Sequence, residues 1–338
     1  MISTESISKL FSEFNNLSAL VIGDVMVDSY IWGTVNRISP EAPVPIVEVK
    51  KRENRLGGAA NVGLNLKALG ATPILCSVIG NDQRGDDFIS LLNKEGLPVE
   101  GIIQNADRIT TTKFRVIGNN SQLLRVDEET RDMLTFDQNN ELWDRIQNIV
   151  VADKADVIIF QDYDKGVISR ELIDKVTNLA NSKNIPIVVD PKKENFLDYK
   201  NVSLFKPNLK EIKEGLNIEF DVNNDVDVEM AVAKLQDKLN AEIVLNTLSE
   251  RGVFISWKVN DVYESRLIPA HFRNIADVSG AGDTVISVAA LCIAKKIDPP
   301  VMAAISNLAG GLVCEEVGVV SVKKHSLLKE VNRLLARS

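Results

Sequence analysis

Cysteine and histidine are scarce in this 338-residue chain, with three of the first and two of the second. Cys76, Cys292 and Cys314 are odd in number, lie in apolar stretches and form no C-x-x-C pair. They read as buried thiols of a reducing compartment rather than a disulfide framework. His271 and His325 leave too few soft ligands for a Cys/His zinc site, and neither stands beside a nucleophile motif. A basic excess is missing too. Lys and Arg number 39 against 47 Asp and Glu, a net charge of −8, which speaks against nucleic acid or an anionic membrane as partner. No uncharged apolar run reaches the roughly 18 residues that a membrane span needs. The longest near the C-terminus, Met302 to Cys314, is shorter and contains Asn307. The N-terminus carries Glu5 and Glu13 and lacks the basic start and apolar core of a targeting segment, so a cytoplasmic protein is expected.

What is present is a repeating pattern of short β-branched runs and helical patterns. Residues 19–22, 74–79, 157–160, 187–189 and 243–245 are apolar without alternation, as strands buried on both faces are. Each run ends at glycine or a polar residue, where the ligand-binding loops of a parallel sheet lie. Helical patterns cover 59–69, 85–95, 139–151, 169–181, 228–239, 282–294 and 300–313. The rhythm predicts an α/β fold, a doubly wound, mostly parallel sheet with helices on both faces, over a single domain of residues 1–338. Two segments break it, at about 29–51 and 111–127. Their alternating strands lack helices between them, and Gly118-Asn119-Asn120 is a hairpin signal. They predict a small inserted sheet, serving as a lid or oligomer interface or else as a plain edge hairpin.

The strongest chemical signal is Asp277-Val278-Ser279-Gly280-Ala281-Gly282-Asp283-Thr284, leading into an apolar helix. Small residues let the backbone approach a ligand, and the N–H groups of a helix start form an anion site. A carboxylate beside such a hole makes sense if it accepts a proton from a hydroxyl attacking a phosphorus held there. The second signal is Gly57-Gly58 opening a helix that carries Asn61, a donor and acceptor suited to a polyol. The third is Asn208 and Glu211 at a strand-to-helix turn. They could orient metal-bound water, or simply form an N-cap with its capping-box glutamate.

Together these motifs resemble the ribokinase-like (PfkB) family of sugar kinases over essentially the whole chain. The resemblance implies ATP as phosphoryl donor, Asp283 as catalytic base, and Gly280, Ala281 and Gly282 as the anion hole. It implies that Asn208 and Glu211 organise Mg²⁺ and phosphates, Glu211 through water or directly. It places the sugar-binding aspartate on Asp28 and the nucleotide loop on Thr247 to Gly252, with Ser249 standing where the family's loop has glycine. Within the family, five stretches resemble the heptose 7-phosphate kinase subgroup: 21–28, 37–45 (Arg-Ile-Ser-Pro-Glu-Ala-Pro-Val-Pro), 57–62, 162–166 (Asp-Tyr-Asp-Lys-Gly) and 277–284. That implies phosphorylation of the anomeric hydroxyl of a sugar already carrying a phosphate, on the route to ADP-heptose for lipopolysaccharide. Relatives often carry a further nucleotidyltransferase domain with an HxGH motif. This sequence has no such motif, so a stand-alone kinase is expected.

The substrate's own phosphate needs cations, and the candidates are Lys113, Arg125, Lys165 and Lys192, with Arg125 foremost among the lid residues. Gly57, Gly58 and Asn61 complete the expected sugar site, and a homodimer through the lid is expected. Competing readings are a kinase for another sugar or sugar phosphate, and a non-catalytic sugar or nucleotide sensor.

Overall fold

The computed structural model describes every residue except Met1, Asp153, Asp261, Phe272 and Ser338. In chain order the strands are β1 (Ile2–Ser3), β2 (Ser18–Gly23), β3 (Val25–Ile38), β4 (Pro45–Gly58), β5 (Thr72–Gly80), β6 (Ile102–Asn105), β7 (Thr112–Gly118), β8 (Ser121–Glu128), β9 (Val157–Gln161), β10 (Ile187–Asp190), β11 (Leu204–Phe205), β12 (Ile243–Thr247), β13 (Val253–Val259), β14 (Val262–Ile268) and β15 (Ala336–Arg337). The helices are α1 (Thr4–Glu13), α2 (Ala59–Ala68), α3 (Gln83–Lys94), α4 (Phe136–Val151), α5 (Arg170–Ser182), α6 (Leu209–Leu216), α7 (Asp225–Leu239), α8 (Ala281–Ala294), α9 (Pro299–Val313) and α10 (Lys324–Leu335).

Among the described residues the main sheet has nine strands in the order β14-β13-β12-β11-β10-β9-β2-β5-β6. All its pairings from β12 to β6 are parallel, and β13–β14 is an antiparallel hairpin at one edge. The expected doubly wound sheet is therefore present. Its strands lack alternation because each face has its own core. Ala19, Val21, Val157 and Ile159 point into a layer built with α1, α2, α8, α9 and α10. Leu20, Ile22, Ile158 and Phe160 point into the layer built with α4, α5 and α7. Burial of a large aliphatic side chain stabilises by about 1.5–3 kcal/mol, so both faces must stay apolar for the sheet to stay central.

β3, β4, β7 and β8 form a separate four-stranded sheet in the order β4-β3-β7-β8. The two hairpins legible in the sequence are joined by a parallel pairing of β3 with β7, Asp28 lying opposite Lys113. β3 and β4 run well past the expected segments, to Val25 and to Gly58, so the small sheet reaches the binding edge of the large one. The chain order places β5 and β6 on one side of β2 and β9 to β12 on the other. The ends of β2 and β9 thus flank a switch point, where ligand crevices form in such sheets.

Candidate active site

Asp283 stands in the first turn of α8 and is buried at 7% exposure. Gly280 is the N-cap of that helix and adopts a left-handed backbone, φ 81°. The α8 sequence explains the burial: it is apolar nearly all round and packs between α2 and α9, so its start lies deep in the crevice. Three donors meet the Asp283 carboxylate. Asn61 Nδ2 lies 2.7 Å from Oδ2, Tyr163 Oη 2.7 Å from Oδ1 and Gln161 Nε2 3.3 Å from Oδ1. Asn61 arrives on the first turn of α2. The bend before it needs Gly58, whose φ is +59° and where a Cβ would come within 2.4 Å of the Asp24 carbonyl oxygen.

A cavity of about 590 Å³ opens in front of Asp283. Gly280, Gly282, Asp190, Lys206, Glu211 and Lys192 are among the groups that line it, together with Asn208, Thr247 and Ser249. Lys206 pairs with Asp190 at 3.1 Å, both side chains nearly buried, and Gln161 donates to the same Asp190 oxygen at 3.1 Å. Lys192 pairs with Glu211 at 2.5 Å. Asn208 and Glu211 form a capping box at the start of α6: Asn208 Oδ1 accepts from Glu211 N, and Glu211 Oε2 accepts from Asn208 N, both at 2.9 Å. The two readings of this pair coexist, because the capping glutamate also faces the cavity. A backbone bridge between Asn208 and Thr247 brings the two loops together.

At the other side of Asn61, Asp28 lies against Gly57, where a Cβ would sit 2.7 Å from its Oδ2. Arg115 on β7 donates to Asp28 Oδ1. Arg55 and Arg115 flank the Tyr30 ring, 4.8 and 5.3 Å from its centroid. Lys113 and Lys165 converge on Glu129, at 3.4 and 2.9 Å, and Lys113 and Arg125 share Asp127.

A match to the profile of the pfkB family carbohydrate kinases spans residues 16–325. The chain belongs to this family. The kinase is 38% identical over 316 residues to the bifunctional protein HldE of Desulfatibacillum aliphaticivorans, covering 94% of this chain and 63% of the relative. It is 38% identical over 299 residues to bifunctional protein HldE of Helicobacter pylori J99, covering 88% of this chain and 63% of that one. It thus spans less than two thirds of the length of these relatives. Among solved structures it is similar to phosphofructokinase-2 from Escherichia coli in complex with fructose-6-phosphate, with TM-score 0.74 and 19% identity over 95% of this chain and 99% of that one. It is also similar to Arabidopsis thaliana ribokinase complexed with ribose and ATP, with TM-score 0.69 and 16% identity over 93% and 99%. At these identities the likeness establishes the fold.

Burial lifts the Asp283 pKa of the kinase to about 6, with the nearby Asp190 adding to the rise and Asn61, Tyr163 and Lys206 opposing it. Lys192 loses solvation, which pulls its pKa down, but Asp190 and Glu211 more than offset this and the net shift is upward. Both groups carry charge at neutral pH, which puts a carboxylate and a cation in one cavity.

Some sequence expectations on position need correction. Lys192, which follows β10, pairs with Glu211 in the cavity and not with Asp127 or Glu129, the carboxylates that Lys113, Lys165 and Arg125 pair with. Arg125 is on the edge strand β8 with its side chain about half exposed, paired with Asp127. The inner strand instead offers Arg115, directly opposite Arg125 in register, which sequence reasoning passed over. Gly252 does not line the cavity. Its φ of +97° and the Ile268 carbonyl oxygen 2.2 Å from a would-be Cβ show a glycine required by the turn into β13. Ser249 takes φ +53°, a left-handed bend in a residue other than glycine. Gln161, Asp190 and Lys206 were also missed as site residues. Their signal was visible as polar residues closing apolar strand runs.

Proposed function

We propose that this kinase transfers the γ-phosphoryl group of ATP to the anomeric hydroxyl of D-glycero-β-D-manno-heptose 7-phosphate, giving the 1,7-bisphosphate on the route to ADP-heptose for lipopolysaccharide. The observation that carries the reading is two separate cationic places around one buried carboxylate. Lys206 and the start of α8 face the cavity, while Lys113, Arg115 and Arg125 of the small sheet, which acts as the lid, gather around Asp28, Asp127 and Glu129 together with Lys165 from the turn after β9. A substrate with a phosphate at its far end explains the second place; a neutral sugar does not. The resemblance of residues 37–45 and 162–166 to the heptose 7-phosphate kinase subgroup supports the same substrate class.

In this reading the nucleotide's phosphates lie on the Gly280–Gly282 turn and near Lys206, with Asn208 and Thr247 at the nucleotide's side. Asp28 and Asn61 hold sugar hydroxyls. Asp283 takes the proton of the anomeric hydroxyl as that oxygen attacks the γ-phosphorus, and ADP leaves on the far side. Among the described residues no cluster of three acidic or soft ligands exists. The donor set fits Mg²⁺, which binds through one or two carboxylates, waters and substrate phosphates; Glu211 is the carboxylate that would hold it, through water. When bound, the ion offsets phosphate charge.

The test is kcat/KM for the heptose 7-phosphate and for the unphosphorylated heptose, in wild type and in Lys165→Met and Arg115→Met. A charge-assisted contact contributes about 1.5–3 kcal/mol, so wild type should prefer the phosphate strongly. Each true ligand's loss should shrink that preference roughly 10- to 100-fold, with KM for ATP unchanged. No preference in wild type would leave a kinase for a different sugar.

A further inference from the structure

The turn after β9 holds a side chain that the transfer scheme leaves without a part. Tyr163 lines the cavity, and its hydroxyl donates to Asp283 Oδ1 at 2.7 Å. Gln161 donates to the same oxygen at 3.3 Å, while Oδ2 receives Asn61 at 2.7 Å. An ionised carboxylate has about four acceptor sites, two on each oxygen. Both sites of Oδ1 are taken by these donors, and Oδ2 keeps one open.

Tyr163 is fixed at both ends. Its backbone N–H donates to buried Asp24 Oδ2 at 2.9 Å, and Asp24 also accepts from the N–H groups of Lys165 at 3.2 Å and Val167 at 3.1 Å. Lys192 Nζ sits 5.7 Å from the centroid of the Tyr163 ring, within the range of a cation–π contact. The hydroxyl is therefore held on Asp283 by the fold of its turn.

We propose that Tyr163 is the positioning residue of the base: its hydroxyl closes Oδ1, so that Oδ2 takes the proton of the acceptor hydroxyl. The proposal rests on Asp283 being that base. The acceptor O–H bond breaks and its proton moves to Oδ2. The oxygen's electron pair forms the new O–P bond. The bond from the γ-phosphorus to its bridging oxygen breaks, and that electron pair leaves on ADP. Tyr163 keeps its own proton throughout, because burial and the charge of Asp283 hold its pKa well above the ordinary value.

The other charged groups facing Asp283 are Asp190 at the end of β10 and Lys206 after β11, and the Lys192–Glu211 pair stands in the same cavity. Tyr163→Phe leaves these in place and keeps the ring under Lys192. Losing a donor to the charged form should raise the Asp283 midpoint by about one pH unit, a tenfold change in proton affinity. The midpoint is read by NMR titration of ¹³C-aspartate-labelled enzyme without substrates, with Asp283→Asn assigning the signal. With ATP and heptose 7-phosphate, turnover of Tyr163→Phe should be about fivefold below wild type at pH 6 and nearly equal at pH 8, given a midpoint moved from about 6 to about 7. KM for ATP should not change. A wild-type midpoint in Tyr163→Phe overturns the proposal. Wild-type turnover in Asp283→Asn instead removes the base reading on which it rests, and the titration distinguishes the two failures.

Discussion

Asp283→Asn exchanges one carboxylate oxygen for an amide and should stop phosphoryl transfer without weakening the fold. A positioned general base is worth roughly 10²–10⁴ in rate, so kcat should fall at least about a hundredfold, or about 2.7 kcal/mol of barrier. The stability side has its own sign. Burial lifts the Asp283 pKa from 3.8 to about 6, so the folded chain binds this proton more tightly than the unfolded chain. The group's contribution to stability is full below about pH 4, falls as pH rises to 6, and stays lost above that. A neutral amide escapes the loss. The melting temperature of Asp283→Asn should equal or exceed that of wild type at pH 8, and the difference should shrink toward pH 4. ADP release and thermal melts at both pH values are the assays. A variant keeping more than a tenth of wild-type kcat would falsify the base assignment. A lower melting temperature at pH 8 would show that the three donors on this carboxylate outweigh its burial.

Glu211→Gln should raise the Mg²⁺ concentration needed for half-maximal rate, since the capping box survives in part but the charge facing the cavity is gone; an unchanged Mg²⁺ titration would leave Glu211 as a cap alone. On the face of the small sheet opposite to Asp28, Leu124 and Val126 are 55% and 48% exposed and lie in register with Val116 and Phe114. A half-covered sheet face of this kind needs a partner, so wild type should sediment as a dimer at micromolar concentration and Leu124→Lys as a monomer. A monomeric wild type refutes the lid dimer. Gly252→Val should lower the melting temperature, the left-handed turn and the Ile268 carbonyl leaving no room for a side chain; an unaltered melt would show that the turn can rearrange.

The sheet was legible because its chemistry is uniform: strands such as Val157–Phe160 have no polar face to hide. The Asp283 loop was legible for the opposite reason, since small residues followed by an acid at a helix start have few structural uses. The small sheet was legible as two hairpins but not as one sheet, because the β3–β7 pairing joins residues more than 80 positions apart and leaves no local pattern. The same distance hid Arg115. On a strand where cations alternate with apolar residues, its partner Asp28 is fixed only by the β3–β7 pairing, and nothing local separates it from Arg125. Lys192 was grouped wrongly because a cation after a strand end has no direction in sequence. Which loop it faces is decided by strand order, and β10 lies beside β11 and the turn that carries Glu211. Tyr163 sat inside a motif read for resemblance, while its use depends on Asp283, 120 positions away.

The central claim is that a second phosphate is added at the anomeric carbon of a sugar that already carries one. Phosphorus NMR of the reaction of this kinase with ATP, Mg²⁺ and D-glycero-β-D-manno-heptose 7-phosphate tests it directly. The account predicts that, besides the two signals of ADP, one new sugar-phosphate signal grows as the γ-phosphate signal of ATP falls, in equal amount. That signal should couple to the anomeric proton while the 7-phosphate signal persists. A product phosphorylated at any other carbon, or loss of the γ-phosphate to free phosphate alone, would contradict it.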